Sequence, residues 1–253
     1  MLLCNICYMP FQRVSELEEL FEQYGVKEFD RQLIRRDLGI LRSKDVETFF
    51  HSVRTTLLAM RIAQHFGMDP KPMLIAGPRH DIGKKDVPNK ILKKKGTFTS
   101  EDKSAIKPHA TDTYNRLIRT SVFSAQIGVN HHRHGKDPYP KRIPKGPNVL
   151  SQKAKLLANK YSKALAIADW IDAALFRKNS RFSGREVTLD LIKKEMLKEM
   201  PKLSKMIELV FSDGIINEQM LANAKQKRES QLIGKSFVRK KTALKRRVVL
   251  RRK

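Results

Sequence analysis

Cysteine is scarce in this chain of 253 residues, which contains only Cys4 and Cys7. The two form a single Cys-x-x-Cys pair, and no second pair follows to complete a four-cysteine zinc site. The spacing favours ordinary reduced thiols, with a structural zinc site as the alternative.

Long apolar runs are also missing. None approaches the roughly 18 residues that a membrane-spanning helix needs. The N-terminus has neither a basic region followed by an apolar stretch nor a small-residue cleavage site. We therefore expect a cytoplasmic protein in a reducing, bacterial-type compartment.

Glycine and proline are few, at 12 and 11 residues, and the alternation of apolar and polar residues that marks strands is hard to find. Apolar residues instead recur every three to four positions through most of the chain. The length is sufficient for one large domain, or a domain with appendages, that buries a sizeable core. The pattern predicts an all-α protein built as a helical bundle.

Acidic residues are half as numerous as basic ones, 26 against 52, which gives a formal net charge of +26. The positive electrostatic field of a chain with this net charge attracts nucleotides, nucleic acid or anionic lipid. Residues 225–253 carry thirteen basic side chains and one acidic side chain, so nearly half of the excess lies in this tail. The tail is predicted to bind nucleic acid or an anionic membrane, either as a basic amphipathic helix or as a disordered segment.

The apolar pattern and the charge divide the chain into four segments. Residues 1–43 are predicted as an N-terminal helical segment, whose second helix is short and spans about Phe29 to Leu38. Residues 44–184 form the core domain and residues 185–224 add C-terminal helices. Residues 225–253 are the basic tail.

One short stretch contains candidate metal ligands: Arg79-His80-Asp81-Ile82-Gly83-Lys84. A histidine joined directly to an aspartate places an imidazole nitrogen beside a carboxylate, and such a pair can bind one metal ion or bridge two. His-Asp is nevertheless a common dipeptide, so the pair alone leaves a metal role open. Glu47 and His51 strengthen the hypothesis, because residues four apart on a helix project from the same face.

Asp169 is a further candidate ligand, since it lies in an alanine-rich apolar part of a long predicted helix, beside Trp170. Burying a carboxylate there is costly unless a cation compensates its charge. A metal ion is one such partner, and an arginine or a helix N-terminus is the other. The sequence leaves this choice open for Asp169, and Asp172 follows three residues later.

The order of these groups resembles a known family, the HD-GYP branch of the HD metal-dependent phosphohydrolases. The similarity covers roughly residues 45 to 182, and its most specific block runs from His80 to Gly96. The elements that carry it are Glu47-x-x-x-His51, Arg79 to Leu92, His109 after an acidic-capped helix, His131-His132 before a Tyr-Pro loop, and Ala168-Asp169-Trp170-Ile171-Asp172-Ala173.

The resemblance implies an all-α HD-domain bundle that holds two or three divalent metal ions and hydrolyses cyclic di-GMP. It further implies that Asp81 bridges two ions and that Lys84 faces the substrate phosphate, which makes these two the catalytic candidates. The implied metal ligands are Glu47, His51, His80, Asp81, His109, His131, His132 and Asp169.

Departures from the family pattern fall on the substrate side. Arg133 stands where the family has a glutamate after the paired histidines, and Thr113 stands where a glycine is expected. The loop around Tyr139-Pro140 is shorter and lacks its glycines. We expect Lys84, Arg133 and Arg181 to contact the substrate.

A site of histidines and carboxylates without cysteine suits Fe or Mn, with Zn, Co or Ni as alternatives. A water molecule activated by the metal ions would attack the phosphodiester, and the ions would clamp its non-bridging oxygens. The leading hypothesis is therefore a cyclic di-GMP phosphodiesterase. The alternatives are an HD-type hydrolase of another nucleotide or of RNA, and a metal-stabilised module that binds nucleic acid or membrane without catalysis.

Overall fold

The computed structural model of the chain describes residues 12–94, 96, 98–146, 150–176, 182 and 186–226. Within these ranges all regular structure is helical and no strand occurs, so the predicted all-α class is confirmed. Four short 3-10 turns span Gly77–Arg79, Ile82–Asp86, His131–Arg133 and Pro201–Leu203, and residues 218–226 are also helical. The α-helices are α1 Gln12–Gln23, α2 Glu28–Lys44, α3 Val46–His65, α4 Lys71–Ala76, α5 Asn89–Leu92, α6 Ser100–Ile106, α7 His109–Leu117, α8 Val122–Asn130, α9 Gln152–Phe176, α10 Leu189–Glu199 and α11 Ser204–Ser212.

Helices α3 and α9 form the centre of the bundle. Buried side chains occupy 13 of the 20 positions of α3, including consecutive residues 51–60, so this helix is enclosed on nearly every side. Helix α9 packs against α3 and α8, and α8 packs against α7. In the described part of the chain, no helix is both long enough and apolar enough to cross a bilayer.

Polar side chains set the starts of the helices that lead to the site. The Thr48 backbone N–H donates to Asp45 Oδ2 over 2.9 Å, which begins α3 two residues before Glu47. Thr99 and Asp102 form a reciprocal capping box at the start of α6, the acidic-capped helix that precedes His109. Ser121 caps α8 through its side-chain oxygen, which accepts from the Ser124 backbone N–H.

The N-terminal helices pack onto the turn that carries the His-Asp pair. Helix α2 is longer than the sequence predicts, because it continues past Leu38 to Lys44. Near its middle, Asp37 Oδ2 accepts a hydrogen bond of 2.7 Å from Arg79 Nε, and both side chains are only 1% exposed. A buried ion pair therefore joins α2 to the residue just before His80.

Buried apolar side chains from Leu17 to Ala224 belong to one continuous core. The predicted segment boundaries at residues 43/44 and 184/185 stay predictions. The basic tail and Cys4 and Cys7 lie outside the described residues, apart from positions 225 and 226 of the tail.

The turn after the His-Asp pair lies directly against the start of α7. The Gly83 backbone N–H donates to Thr113 Oγ1 over 3.0 Å. A Cβ atom on Gly83 would lie 2.1 Å from the carbonyl oxygen of His109 and 2.7 Å from the backbone nitrogen of Thr113. Glycine is required here because any side chain would push α7 away from the turn.

We therefore expect Gly83→Ala to lower the free energy of unfolding by about 1–3 kcal/mol or more, the usual cost of overpacking a rigid interior. The matched control is Gly39→Ala on the exposed face of α2, where a Cβ meets no atom within 4 Å. That change should stabilise the protein by roughly 0.5–1 kcal/mol through helix propensity. Urea unfolding midpoints measure both, and equal midpoints for the two variants would contradict the steric argument.

Candidate metal centre

Five elements converge on one buried group of histidines and aspartates. The 3-10 turn that ends at Arg79 leads into His80 and Asp81, both of which are completely buried. Four other elements reach the same place. They supply His51 from α3, His109 from the first position of α7, His131 and His132 from the turn after α8, and Asp169 from α9.

The first cluster joins α3, the His-Asp turn and α9. His51 Nε2 lies 2.9 Å from Asp169 Oδ1 and 3.4 Å from Asp81 Oδ2. His80 Nε2 lies 3.4 Å from the same Asp81 oxygen. One ligand atom from each of these four residues lies within 4.8 Å of all the others, which is the spacing expected around a single metal ion.

The second cluster joins the same aspartate to α7 and the turn after α8. His109 Nε2 lies 3.2 Å from Asp81 Oδ1 and 3.1 Å from His132 Nε2. His131 completes the group, again with ligand atoms within 4.8 Å of one another. Asp81 thus directs one carboxylate oxygen to each cluster, which is the geometry of a bridging ligand.

Hydrogen bonds fix the ring orientation of four of these histidines. In each case Nδ1 is bonded to an oxygen, which leaves Nε2 directed into the cluster. A carbonyl oxygen only accepts, so a ring bonded to one carries its proton on Nδ1 and has a lone pair on Nε2 for a cation. The partners of Nδ1 are the Gly77 carbonyl for His80 at 2.7 Å, the Ile106 carbonyl for His109 at 2.6 Å, the Gly128 carbonyl for His131, and Asp172 Oδ2 for His51 at 2.7 Å.

Asp172 is a positioning residue that the sequence did not identify. It receives two hydrogen bonds from the Arg54 guanidinium, at 2.6 and 2.9 Å, in addition to its bond with His51. Although burial alone would raise the pKa of the Asp172 carboxyl, Arg54 and His51 lower it below its usual range. An arginine was one of the partners left open for Asp169, but in the structure the arginine at this place, Arg54, is bound to Asp172. Asp169 reaches the cluster instead.

The electrostatics of the site fit a bound cation. Burial alone would lower the pKa of His80, yet Asp81 and Asp169 raise it to about 9, so these carboxylates favour a positive charge here, and a metal ion would take the place of the proton on Nε2. Burial and the neighbouring His80 lower the pKa of His131 to about 3, so this ring stays neutral, as a metal ligand must. Nε2 of His80 and Nε2 of His131 are both buried without a hydrogen-bond partner among the described residues. A divalent ion in each cluster would satisfy both nitrogens.

One predicted ligand lies outside both clusters. Glu47 is exposed on α3, one turn before His51, and lines the same cavity as the clusters. Neither group of convergent ligand atoms in the described part of the chain includes it. Its predicted role as a ligand stays a prediction.

The predicted substrate contacts differ in where they lie. Lys84 is 3% exposed, lines the cavity and forms an ion pair with Asp81. Arg133 is half-buried and donates from Nη1 to Asn130 Oδ1 over 3.2 Å, and it is not among the residues that line the cavity. Arg181 lies outside the described residues.

The clusters open into a cavity of about 610 Å³. Helices α3 and α9 form one side, and the loop after His132 forms another. In this loop the Tyr139 ring stacks on the His132 ring, with centroids 4.4 Å apart and planes inclined by 25°. Lys107 holds the same loop through a 2.6 Å ion pair with Asp137. The shortened Tyr-Pro loop therefore still covers the second cluster.

Removing the charge of Asp172 should loosen His51 without removing any candidate ligand. We expect Asp172→Asn to weaken binding of a divalent metal ion by about 10–100-fold, the usual effect of losing a partner that orients a histidine ligand. The matched control is Asp213→Asn, which breaks a 2.9 Å contact between a carboxylate and His65 away from both clusters.

Metal titration followed by calorimetry measures the difference, with circular dichroism to show that both variants fold. Equal affinities in the two variants would contradict the proposed role of Asp172.

Comparison with known proteins agrees with this architecture. The family model described as the HD domain matches residues 48–174. A cyclic di-GMP phosphodiesterase of Thermotoga maritima is 31% identical over 169 residues, which cover 64% of this chain and 43% of the relative. The cyclic di-GMP phosphodiesterase response regulator RpfG of Xanthomonas campestris is 26% identical, over 65% of this chain and 43% of its own length.

A 3'3'-cGAMP-specific phosphodiesterase of Vibrio cholerae is 30% identical over 42% of this chain and 26% of its own length. The chain therefore spans less than half the length of these relatives. Among solved structures, the HD domain of the Listeria monocytogenes phosphodiesterase PgpH with cyclic-di-AMP aligns with 79% of this chain and 96% of its own, at a TM-score of 0.45 and 21% identity. The family model covers half of the sequence, and the protein therefore belongs to the HD domain family. This confirms the resemblance of its motifs.

Proposed function

We propose that the protein is a metal-dependent phosphodiesterase that hydrolyses a cyclic dinucleotide, with cyclic di-GMP as the substrate. The observation that carries this proposal is the pair of His/Asp clusters that share Asp81 and open into a single cavity. Two metal ions bridged by one carboxylate suit hydrolysis of a phosphodiester, because both the attacking and the leaving oxygen need stabilisation. The names of the relatives support the substrate class.

The donor set supports two ions, one for each cluster. Imidazole nitrogens and carboxylate oxygens without a thiolate suit iron or manganese, and zinc, cobalt and nickel are the alternatives. A third ion would need Glu47 to turn towards the clusters from its exposed position on α3. When bound, the ions would lower the pKa of a water molecule and neutralise the charge of the phosphate.

The residues of the chain have distinct roles in this proposal. Asp81 sets the spacing of the two clusters, because its two oxygens belong to one rigid carboxylate. Lys84 contributes a buried ammonium beside this carboxylate, where it adds positive charge next to a bound phosphate. The Tyr139 ring covers His132 and limits access of solvent to the second cluster.

An HD-type hydrolase of another nucleotide or of RNA is the second candidate, and two observations favour it. Arg133 replaces the family glutamate, and its guanidinium is bonded to Asn130 rather than lining the cavity. Lys93 adds positive charge to the cavity wall, next to Lys94, which is paired with Asp102, and a longer polyanion would also contact this part of the wall. The cytoplasmic location that the sequence predicts is part of either proposal.

The metal mechanism predicts loss of hydrolysis when the bridging ligand is changed. Asp81→Asn should lower turnover of cyclic di-GMP on the order of 1,000-fold or more, because several kcal/mol of stabilisation from the ions is lost. His65→Gln is the matched control, since His65 lies on α3 with His51 but contacts Asp213 outside the clusters. Elemental analysis should show less bound metal in the Asp81 variant alone. Hydrolysis that persists after complete removal of metal by a chelator would contradict the mechanism.

Comparison of substrates separates the two candidate functions. We expect faster hydrolysis of cyclic di-GMP than of a linear dinucleotide or a short RNA by the metal-loaded full chain. Product analysis by chromatography gives the rates and shows whether the product is linear or a mononucleotide. Equal rates on the three substrates would favour the second candidate.

We also propose that the basic tail, residues 225–253, binds nucleic acid or anionic membrane. The support is its charge, because each phosphate neutralised by a lysine or arginine releases about one counterion and makes binding sensitive to salt. Deleting the tail should weaken binding to RNA or to anionic vesicles and reduce the slope of affinity against salt concentration. An unchanged slope after deletion would show that the tail does not contribute.

A further inference from the structure

The cavity has an apolar wall as well as its charged groups. Three apolar side chains line it where α5 connects to α6, and each of them is partly buried. They are Leu92 at the end of α5, Phe98 just before α6 and Ile106 at the end of α6. We name these three residues the α5–α6 wall. Members of both metal clusters line the same cavity.

The α5–α6 wall lies directly beside the second cluster. The carbonyl oxygen of Ile106 accepts a hydrogen bond of 2.6 Å from Nδ1 of His109. Nε2 of the same ring is directed into the cluster, where it lies 3.2 Å from Asp81 Oδ1. The wall and a candidate metal ligand are thus in direct contact. A phosphate held at the second cluster would have this apolar surface as its neighbour.

Asp102 holds the α5–α6 wall in place from behind. Its carboxylate accepts a 2.8 Å hydrogen bond from the Thr99 backbone N–H and forms an ion pair with Lys94. Thr99 directly follows Phe98, and Lys94 lies two residues after Leu92, so one carboxylate connects the two sides of the wall. Because bonds within the chain fix these positions, a ligand need not order the wall on binding.

The two kinds of surface in the cavity suit the two ends of a nucleotide. A phosphate is attracted to the ions that the clusters would hold and to the positive charge of Lys84. The faces of a nucleobase are flat and aromatic, and they gain free energy when apolar side chains remove them from water. A ribose joins the base to the phosphate, so one molecule can contact the second cluster and the α5–α6 wall together.

We propose that the α5–α6 wall is the subsite that binds a nucleobase of the substrate, with Phe98 as its aromatic contact. The proposal rests on the phosphodiesterase function proposed above and adds the part of the cavity that recognises the base. An apolar contact does not read the hydrogen-bonding edge of a base, because every base has an aromatic face. The wall therefore selects for the presence of a base and not for guanine in particular.

Substitution of Phe98 tests the subsite. The probes are GMP and ribose 5-phosphate, which share the sugar and the phosphate and differ in the base. Calorimetry measures their binding to the metal-loaded full chain. Phe98→Ala should weaken binding of GMP by about 5- to 150-fold, the range that corresponds to contact between one base and an aromatic side chain. Binding of ribose 5-phosphate should stay the same. Equal losses for the two probes would overturn the proposal, as would an unchanged affinity for GMP.

Two matched variants show whether the aromatic ring at this position is what matters. Phe98→Tyr keeps an aromatic face and should bind GMP like the unmodified protein. Phe29→Ala changes a phenylalanine that is 64% exposed on α2 and is not among the residues lining the cavity, so it should leave GMP binding unchanged. A loss in Phe98→Tyr as large as that in Phe98→Ala would contradict the aromatic contact.

A second probe and a second residue of the wall extend the test. Phe98→Ala should weaken binding of AMP by a factor similar to that for GMP, and a loss confined to GMP would overturn the apolar contact. Leu92→Ala removes a different part of the wall and should also weaken binding of GMP more than binding of ribose 5-phosphate. Circular dichroism reports the fold of each variant. If Phe98→Ala does not fold, Leu92→Ala decides, and an unchanged affinity for GMP in that variant overturns the proposal.

Failure of this inference is distinguishable from failure of the proposed function. If the protein hydrolyses cyclic di-GMP while Phe98→Ala keeps the KM of the unmodified enzyme and its affinity for GMP, the base subsite is wrong and the phosphodiesterase stands. If no phosphodiester is cleaved but Phe98→Ala loses affinity for GMP and not for ribose 5-phosphate, the base subsite stands and the catalytic proposal is wrong.

Discussion

The site depends on one buried carboxylate, that of Asp81, which lies between two groups of histidine nitrogens. A fully buried anion is costly unless cations or hydrogen-bond donors surround it. Four side chains contact this carboxylate: Lys84, His51, His80 and His109. Burial alone would raise the pKa of Asp81, but these neighbours lower it well below the usual range. Because its two oxygens face different clusters, the position of this single side chain determines the geometry of both.

The packing of the bundle is arranged to hold that turn in place. Gly83 allows the backbone after Asp81 to touch the start of α7, where His109 is the first residue. On the opposite side, Arg79 is bonded to Asp37 of α2 and to Thr120. The turn is therefore fixed from before and after the His-Asp pair by contacts that do not use the side chain of a candidate metal ligand. The N-terminal helices thus contribute to the site although they supply none of its ligands.

Each of the two central helices supplies one candidate ligand and, three residues later, one side chain that supports the cluster. On α3, His51 belongs to a cluster and Arg54 lies behind it, and on α9, Asp169 belongs to the same cluster and Asp172 lies behind it. The rear pair, Arg54 and Asp172, is a buried ion pair that also orients the ring of His51. A helix places residues three apart on nearly the same face, so one pair of packed helices supplies both ligands and their support.

The sequence by itself determined the all-α class, the HD family and most of the candidate ligands, because helical periodicity and a motif of adjacent residues are local properties. It also predicted a helix with acidic residues at its start before His109. It did not predict the extension of α2 to Lys44, the position of Arg133 outside the cavity lining, or the exposed position of Glu47.

Only the tertiary structure decided that Asp172 accepts from an arginine and orients a histidine ring. The resemblance indicated Asp169 as a ligand, but nothing in the local sequence gives Asp172 a role. Asp172 is separated from Arg54 by 118 residues and from His51 by 121, so their contact depends on how α3 and α9 pack. The same holds for the ring orientation of the histidines, because a tautomer is set by the oxygen that lies next to Nδ1 in the folded chain.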